Sequence, residues 1–243
     1  MGADGPRPWT AQTSAEVRFE WGPTGLGAVG GHDVVIVDVL RFTTAVCAGV
    51  DQGALIYPYR WKDDSARAFA DSVGAVLAGG DPLGPSLSPV RLSRLQPNDR
   101  VVLPSPNGST CAALANEAGA RVYAACLRNA TAVAEHLAET DGPVTVVAAG
   151  ERWPDGSLRP ALEDLLGAGA VLAALDGSRS PEAEATATLW SSVAGRAGSL
   201  IRGCGSGLEQ VERSWSDDLA YAIEVDSSEA VPMLADGAFV DAR

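Results

Sequence analysis

Apolar residues along the chain form two kinds of pattern, and the two kinds alternate. Short runs of β-branched and other apolar residues predict strands, and longer stretches with apolar positions three or four residues apart predict helices. The predicted strands are 16–21, 33–39, 54–57, 75–78, 100–103, 121–124 and 144–148. The predicted helices are 43–49, 65–73, 110–118, 129–139, 162–175 and 182–197. Strands that alternate with helices are typical of an α/β fold.

The remaining segments show no internal domain boundary. Residues 1–14 predict a flexible leader, and residues 15–243 predict a single domain whose last third, from Pro181, is more helical. The segment 79–98 is rich in Gly, Pro and Ser but also carries Leu and Val, which favours an ordered loop over a linker. Residues 25–30 match G-x-G-x-x-G. They precede a predicted strand instead of opening a helix, so we expect a flexible turn and no dinucleotide site there.

Composition narrows the possible functions. A chain of 243 residues that is 46% hydrophobic is long enough to bury a core. Its net charge of -13 argues against nucleic acid and anionic membranes as partners, since both require a basic face. No targeting segment and no apolar stretch of about 18 residues is visible, and the four cysteines are widely separated, so we expect a cytoplasmic protein with reduced thiols. An acidic protein that binds an anion needs local cations, which makes metal dependence a natural expectation.

The end of the predicted strand 33–39 carries the first candidate chemistry. Asp38 and Arg41 stand three residues apart just where an apolar β-branched run ends. Ligands of open α/β sheets bind outside the carboxyl ends of strands, so Asp38 could hold a divalent metal and Arg41 an anion. The alternative is that Asp38 caps the following helix while Arg41 only neutralises it.

Two further strand ends carry polar residues that open helices. The segment Asn107, Gly108, Ser109 and Thr110 could bind phosphate or sulfonate through hydroxyls and free helix N–H groups. An ordinary turn with Ser109 or Thr110 as a helix cap fits this segment equally well. Arg128 and Asn129 follow another strand, but Arg and Asn at a helix start are also common surface residues.

The last candidate group is acidic. Glu163 and Asp164 begin a predicted helix after the strand 144–148, where adjacent acids usually complement the helix dipole but could complete a metal site. Several mechanisms are disfavoured. His32 and His136 lack plausible partners for a Ser-His-Asp triad or a histidine-rich metal site. Leu40 stands where haloacid-dehalogenase phosphatases require a second aspartate.

Taken in order, these motifs resemble those of the 2-phosphosulfolactate phosphatase family. The resemblance runs from about residue 33 to about residue 172 and continues weakly through Asp218 and Leu219. It implies a three-layer α/β/α fold with a largely parallel or mixed sheet. It also implies a Mg²⁺-dependent hydrolase that converts 2-phospho-3-sulfolactate to 3-sulfolactate and phosphate, a step toward coenzyme M. The matching segments are 38–44, 78–80, 86–89, 107–109, 128–129, 149–150 and 163–169.

The resemblance also implies roles for individual residues. Asp38 matches the catalytic acid, and Arg41 matches the anion-binding base. The acidic positions that would hold Mg²⁺ are matched by Asp38, Glu163, Asp164 and Asp81. The expected substrate contacts are Asn107, Gly108, Ser109, Thr110, Arg128 and Asn129. The expected partner is a small anionic phosphate ester, and a homodimer is expected on base rates.

One departure from the family pattern keeps an alternative open. Family members commonly continue Gly-Gly with Glu-Arg, whereas Asp81 and Pro82 follow Gly80 here. The loss of that arginine weakens the case for a substrate with both phosphate and sulfonate. The alternative function is a non-catalytic module that binds a small phosphorylated or sulfonated metabolite at the same strand ends.

Overall fold

The computed structural model describes residues 8–81 and 84–243, and within them a nine-stranded mixed sheet forms the centre of the molecule. The strand order is β1-β7-β2-β6-β10-β11-β3-β5-β4, and β8 and β9 form a separate hairpin. The strands are β1 (Val17–Trp21), β2 (Asp33–Val37), β3 (Leu55–Tyr59), β4 (Val76–Leu77), β5 (Arg100–Pro104), β6 (Arg121–Ala125), β7 (Val144–Ala148), β8 (Glu151–Arg152), β9 (Leu158–Arg159), β10 (Pro232–Ala235) and β11 (Ala238–Asp241).

Helices connect most of these strands and cover the sheet. They are α1 (Gly22–Val29), α2 (Phe42–Val50), α3 (Asp64–Ser72), α4 (Pro89–Leu92), α5 (Gly108–Glu117), α6 (Ala130–Ala138), α7 (Leu162–Ala174), α8 (Pro181–Val193), α9 (Ala197–Gly203), α10 (Gly205–Glu212) and α11 (Ser216–Ala222). The α/β fold predicted from the sequence is therefore confirmed, with a large mixed sheet flanked by helices.

The sheet consists of two parallel groups joined by one antiparallel hairpin. β1, β7, β2 and β6 run parallel to one another, and β3, β5 and β4 form the second parallel group. The hairpin of β10 and β11 lies between the groups and pairs antiparallel with β6 on one side and with β3 on the other. The C-terminal segment thus completes the middle of the sheet.

The alternation of side chains along β2 builds a core on each face of the sheet. Val35 and Val37 belong to the core that α6, α7 and α8 cover, and Val34 and Ile36 to the core that α1, α2 and α5 cover. All four side chains are at most 1% exposed. A central parallel strand covered on both faces reads as an uninterrupted apolar run, which explains the sequence of β2.

Close packing places α7 directly over β2. A Cβ atom at Gly167 would lie 2.6 Å from Cγ2 of Val39, and one at Gly169 would lie 2.8 Å from the carbonyl oxygen of Thr186 in α8. Since no side chain larger than hydrogen fits at either position, the two glycines bring α7 against the strand and against its neighbouring helix. This approach carries the acidic first turn of α7 to the end of β2.

Several predicted elements differ from those observed. The prediction of a flexible turn at 25–30 is wrong, because most of that segment lies in α1. The long helix predicted over 182–197 ends at Val193, and a 3-10 turn at Ala194–Arg196 separates it from α9. The strands β10 and β11 were not predicted. The loop system over 79–98 contains the short helix α4.

The predicted leader over 1–14 lies partly outside the described residues. Within the described part, Pro8–Ala11 form a 3-10 turn, and Gln12 is buried. Its side-chain amide donates to the carbonyl of Phe19 at 2.8 Å and accepts from the N–H of Phe19 at 3.2 Å. Gln12 is therefore held against β1. In the described ranges, no helix has the length and apolar character that a bilayer crossing requires.

Candidate active site

Asp38 lies just beyond the end of β2 and is held by the backbone of two helices. Its Oδ1 accepts a hydrogen bond from the N–H of Phe42 at 3.1 Å, and its Oδ2 accepts one from the N–H of Gly108 at 2.9 Å. Phe42 begins α2 and Gly108 begins α5, so the carboxylate lies at two helix N-termini, which favour negative charge. Asp38 thus does bond the start of the following helix, as the capping alternative supposed, but it also reaches a second helix.

Asp164 holds a second pair of backbone groups. Its Oδ1 accepts from the N–H of Val39 at 2.8 Å and its Oδ2 from the N–H of Gly150 at 2.9 Å. Its neighbour Glu163 is 1% exposed and accepts a hydrogen bond from the thiol of Cys204 at 3.3 Å. The first turn of α7 therefore joins the ends of β2 and β7, and it does more than complement a helix dipole.

The carboxylates of this region interact electrostatically. Burial raises the pKa of Asp38 to about 6, the charge of Glu163 adds to that rise, and the N–H groups of Phe42 and Gly108 oppose it. Burial also raises the pKa of Asp164, with further contributions from Asp38 and Glu163. Like charges brought together away from water disfavour ionisation. The structure thus brings Asp38, Glu163 and Asp164 into one acidic cluster, although they are far apart in the sequence.

Glu151 is a fourth member of this cluster. It begins β8, and its Oε2 accepts a hydrogen bond from the amide of Asn107 at 3.0 Å. Burial, followed by the charges of Asp38 and Glu163, raises the pKa of Glu151 to about 7. A carboxyl group with that pKa exchanges protons near neutral pH, as a general acid or base must.

A cavity of about 230 Å³ opens beside the acidic cluster and combines both signs of charge. Asp38, Glu151 and Glu209 supply three carboxylates, and Arg41, Lys62 and Arg213 supply three cations, of which Arg213 pairs with Glu209 at 2.8 Å. Leu40, Leu87, Ser105, Pro106, Asn107, Gln210 and Trp215 complete the lining. We refer to it below as the Asp38 cavity.

Arg41 is held at the wall of this cavity by the C-terminal third of the chain. Its Nη1 donates to Oδ2 of Asp218 at 2.5 Å, and its guanidinium carbon lies 3.8 Å from the centre of the Trp215 ring. Arg41 forms its ion pair with Asp218 and not with Asp38, which disagrees with the interpretation that it only neutralises Asp38. Lys62, by contrast, lowers the pKa of Asp38 through its charge.

The predicted phosphate loop, residues 107–110, contributes mainly backbone groups to the site. Asn107 lines the Asp38 cavity, and the N–H of Gly108 bonds Asp38. The hydroxyl of Ser109 donates to the carbonyl of Leu103 at 3.3 Å, and that of Thr110 donates to the carbonyl of Pro106 at 2.7 Å. Neither Ser109 nor Thr110 lines the cavity. Their role as substrate contacts remains a prediction.

Arg128 and Asn129 lie away from the Asp38 cavity. The Asn129 amide donates to the carbonyls of Ala124 and Ala230 at 3.3 and 3.0 Å, and its oxygen accepts from the N–H of Cys126. Arg128 is 6% exposed, pairs with Glu224 and donates to the carbonyl of Tyr221 at 2.9 Å. It is therefore not a surface residue, and both side chains tie the end of β6 to the C-terminal segment.

Asp81 lies in a neighbouring cavity of about 500 Å³, which Arg41, Trp215 and Asp218 also line. The predicted acidic set is thus divided by the structure. Asp38, Glu163 and Asp164 share one cluster, whereas Asp81 lines the neighbouring cavity and not the Asp38 cavity. Pro82 is outside the described residues.

Comparison with known proteins identifies the family. The model of the 2-phosphosulpholactate phosphatase family matches residues 28–237, which is most of the chain. The chain belongs to this family. Its sequence is 30% identical over 215 residues to a probable 2-phosphosulfolactate phosphatase of Deinococcus radiodurans, across 84% of this chain and 88% of that protein. It is 29% identical over 213 residues to a 2-phosphosulfolactate phosphatase of Methanothermobacter thermautotrophicus, across 84% and 87%. The resemblance inferred from the motifs is confirmed.

A divalent cation fits the chemistry of the cluster in this member of the 2-phosphosulpholactate phosphatase family, but the cluster is not preorganised for one. Burial raises the pKa values of Asp38, Glu151 and Asp164, the charge of Glu163 acts on all three, and carboxylate oxygens are the ligands that Mg²⁺ prefers. Over residues 8–81 and 84–243, no group of three or more His, Cys, Asp or Glu side chains is arranged to hold a metal ion. Asp38 and Glu151 line the cavity, whereas the buried Glu163 does not.

Sequence reasoning assigned no site role to Lys62, Glu151, Arg213 or Trp215 in this family member. It named Asp218 only as part of the weak continuation of the family resemblance. Glu151 directly follows the predicted strand 144–148, so its position at a strand end was a usable signal. Lys62, Arg213 and Trp215 lie in segments with no motif, and only the packing of the C-terminal helices brings the last two to the cavity.

Proposed function

We propose that the protein is a Mg²⁺-dependent phosphatase that hydrolyses (2R)-2-phospho-3-sulfolactate to 3-sulfolactate and phosphate. The single observation that carries the proposal is the Asp38 cavity, in which an acidic cluster faces three cations. Phosphoryl transfer needs such a combination, because catalysis consists largely of positioning and of offsetting charge on the phosphoryl oxygens. Relatives that cover most of the chain carry the name of this phosphatase.

The proposed substrate carries a phosphate, a carboxylate and a sulfonate. Arg41, Lys62 and Arg213 line one cavity; Arg41 also pairs with Asp218 and Arg213 with Glu209, so the cavity offers an acidic ligand the charge of Lys62 and the remaining guanidinium N–H donors. Arg41 offers a planar donor group suited to a phosphate or sulfonate, and Lys62 a compact charge close to Asp38. These cations support a polyanionic substrate even though the family arginine after Gly80 is absent.

The roles of the chain's own groups follow from their positions. Arg41 and Lys62 bind the phosphoryl oxygens, and the Asn107 amide orients Glu151 toward the cavity. We assign the attack to water and not to an aspartyl nucleophile, because no paired acid stands beside Asp38 and Leu40 occupies the position two residues on. Glu151 is placed to exchange the proton of that water or of the leaving oxygen.

Asp38 and Glu163 are the residues that would hold Mg²⁺, which leaves Glu151 to exchange protons. The bound cation would supply positive charge to the phosphoryl oxygens and lower the pKa of nearby water. Asp164 would support the site from behind, through its bonds to the backbone of Val39 and Gly150.

The test is phosphate release from synthetic 2-phospho-3-sulfolactate, measured with Mg²⁺ and after chelation with EDTA. We expect release with Mg²⁺ that stops on chelation. Release from simple phosphomonoesters alone would reject the proposed substrate, and release unaffected by EDTA would reject the metal.

A second candidate function is a non-catalytic module that binds the same class of metabolite. The absence of a preorganised metal group among the described residues favours it. Calorimetric binding of 2-phospho-3-sulfolactate without phosphate release, at any Mg²⁺ concentration, would support the module over the phosphatase.

A further inference from the structure

Asp218 contacts the proposed site from the C-terminal third of the chain. It lies in α11, is 4% exposed, and its Oδ2 accepts a hydrogen bond from Nη1 of Arg41 at 2.5 Å. The two residues are 177 positions apart in the sequence. Asp218 does not line the Asp38 cavity, so its effect on a ligand there must pass through Arg41.

Asp218 and Trp215 together fix the Arg41 guanidinium. Asp218 holds one nitrogen, and the Trp215 ring covers one face of the guanidinium plane at 3.8 Å. Among the described residues, Nη1 is the nitrogen of Arg41 that makes a hydrogen bond. Nε and Nη2 are not among the buried polar atoms that lack a partner. Arg41 lines both the Asp38 cavity and the neighbouring cavity of about 500 Å³, so its remaining N–H donors are available to an anion in a fixed orientation.

The second oxygen of Asp218 extends this arrangement to the loop between β4 and β5. The hydroxyl of Ser88 donates to Oδ1 of Asp218, and the same hydroxyl accepts from the N–H of Arg91 at the start of α4. Both oxygens of Asp218 are therefore engaged, and its carboxylate cannot rotate without losing a hydrogen bond. A buried carboxylate fixed at both oxygens is a rigid support for a cation.

We infer that Asp218 is a positioning residue, which orients Arg41 for anion binding and so makes anion affinity at the Asp38 cavity depend on α11. The inference rests on the proposed function only in that the anion is a phosphoryl group. An unsupported arginine samples many rotamers and loses entropy on binding, whereas Arg41 is ordered before the anion arrives. Removing Asp218 should therefore weaken anion binding without removing the arginine.

The experiment measures binding of inorganic phosphate by calorimetry, in the presence of Mg²⁺, for the full chain and its variants. Asp218→Asn keeps the side-chain volume and removes the charge that holds Arg41. We expect the dissociation constant for phosphate to rise roughly tenfold. Arg41→Ala should raise it at least as much, and the double variant Arg41→Ala with Asp218→Asn should bind like Arg41→Ala alone, because Asp218 acts through Arg41.

Three further variants control the interpretation. Glu212→Gln removes an exposed carboxylate in α10 and should leave phosphate binding unchanged. Asp218→Glu retains the negative charge, so it should bind phosphate more tightly than Asp218→Asn and less tightly than the wild type. If Asp218→Asn does not fold, Ser88→Ala replaces it, since it frees one oxygen of Asp218 and should weaken phosphate binding in the same direction.

Three results would overturn the inference. They are an unchanged phosphate affinity in Asp218→Asn, losses that add in the double variant, and a wild-type chain that does not bind phosphate. A merely structural role would lower the melting temperature of Asp218→Asn without moving phosphate affinity. Failure of the proposed function is distinguishable, because the wild-type chain would then bind phosphate through Arg41 but release none from 2-phospho-3-sulfolactate.

Discussion

The backbone N–H of Gly108 lies 2.9 Å from Oδ2 of Asp38 and donates a hydrogen bond to it. This contact joins the end of β2 to the start of α5 across 70 residues of sequence. The approach is so close that a Cβ atom on Gly108 would lie 2.2 Å from Cδ1 of Phe42 and 2.8 Å from Oδ2 of Asp38. Glycine is therefore required at this position by the space around it.

Replacing Gly108 with alanine should consequently damage both fold and site. We expect Gly108→Ala to lower the free energy of unfolding by about 1–3 kcal/mol through overpacking, and to abolish phosphatase activity by displacing Asp38. Chemical denaturation and phosphate release measure the two effects. Gly27→Ala is the matched control, because nothing lies within 4 Å of a Cβ atom there and the residue is inside α1. That variant should be stabilised by roughly 0.5–1 kcal/mol. Equal stability of the two variants would contradict the packing argument.

Neutralising Asp38 should remove activity while leaving the structure intact. Asp38→Asn keeps the size of the side chain, although its amide nitrogen cannot accept one of the two backbone hydrogen bonds of Asp38. Because burial raises the pKa of Asp38 to about 6, loss of the charge itself does not oppose folding. We expect phosphate release to fall at least about a hundredfold, with an unchanged circular dichroism spectrum. Asp71→Asn, at an exposed position in α3, controls for the loss of one charge. Unchanged turnover in Asp38→Asn would exclude Asp38 from the site.

Stability should fall as the pH rises, and Glu151 should account for part of that fall. Its pKa is raised from 4.5 to about 7, so the folded state binds its proton more tightly than the unfolded chain does. The resulting stabilisation is complete below pH 4.5 and is lost as the pH rises through about 7. In Glu151→Gln, measured in EDTA, the free energy of unfolding should decline less across this range, by about 1–2 kcal/mol. An identical pH profile in the variant and wild type would show that Glu151 ionises normally; Glu139→Gln, at an exposed position, is the control.

Mg²⁺ should stabilise the folded chain if the acidic cluster holds it. A ligand that binds only the folded state raises the melting temperature with its concentration. We expect the melting temperature of the wild type to rise by a few degrees at millimolar Mg²⁺, and to rise less in Glu163→Gln and Asp38→Asn. The control Asp71→Asn should show the same rise as the wild type. Differential scanning fluorimetry with matched ionic strength makes this comparison. If the melting temperature of the wild type does not change with Mg²⁺ concentration, the acidic cluster is not a Mg²⁺ site.

Local sequence patterns were sufficient to predict the elements that carry them. The apolar β-branched run of β2 and the alternation of strands with helices were enough for the fold class, because these patterns reflect burial on both faces of a sheet. The position of Asp38 at a strand end followed from the same pattern. The order of the motifs identified the family, which comparison with other proteins confirmed.

Which side chains contact one another depends on the packing of the whole domain. Whether Arg41 would pair with Asp38 or with a residue 177 positions away could not be inferred from local sequence, because the choice depends on where α11 packs. The same holds for the separation of Asp81 from Asp38 and for the hairpin of β10 and β11 in the middle of the sheet. Such contacts join segments that are distant along the chain, and their geometry is fixed by packing of the whole domain and not by the conformational preference of any one segment.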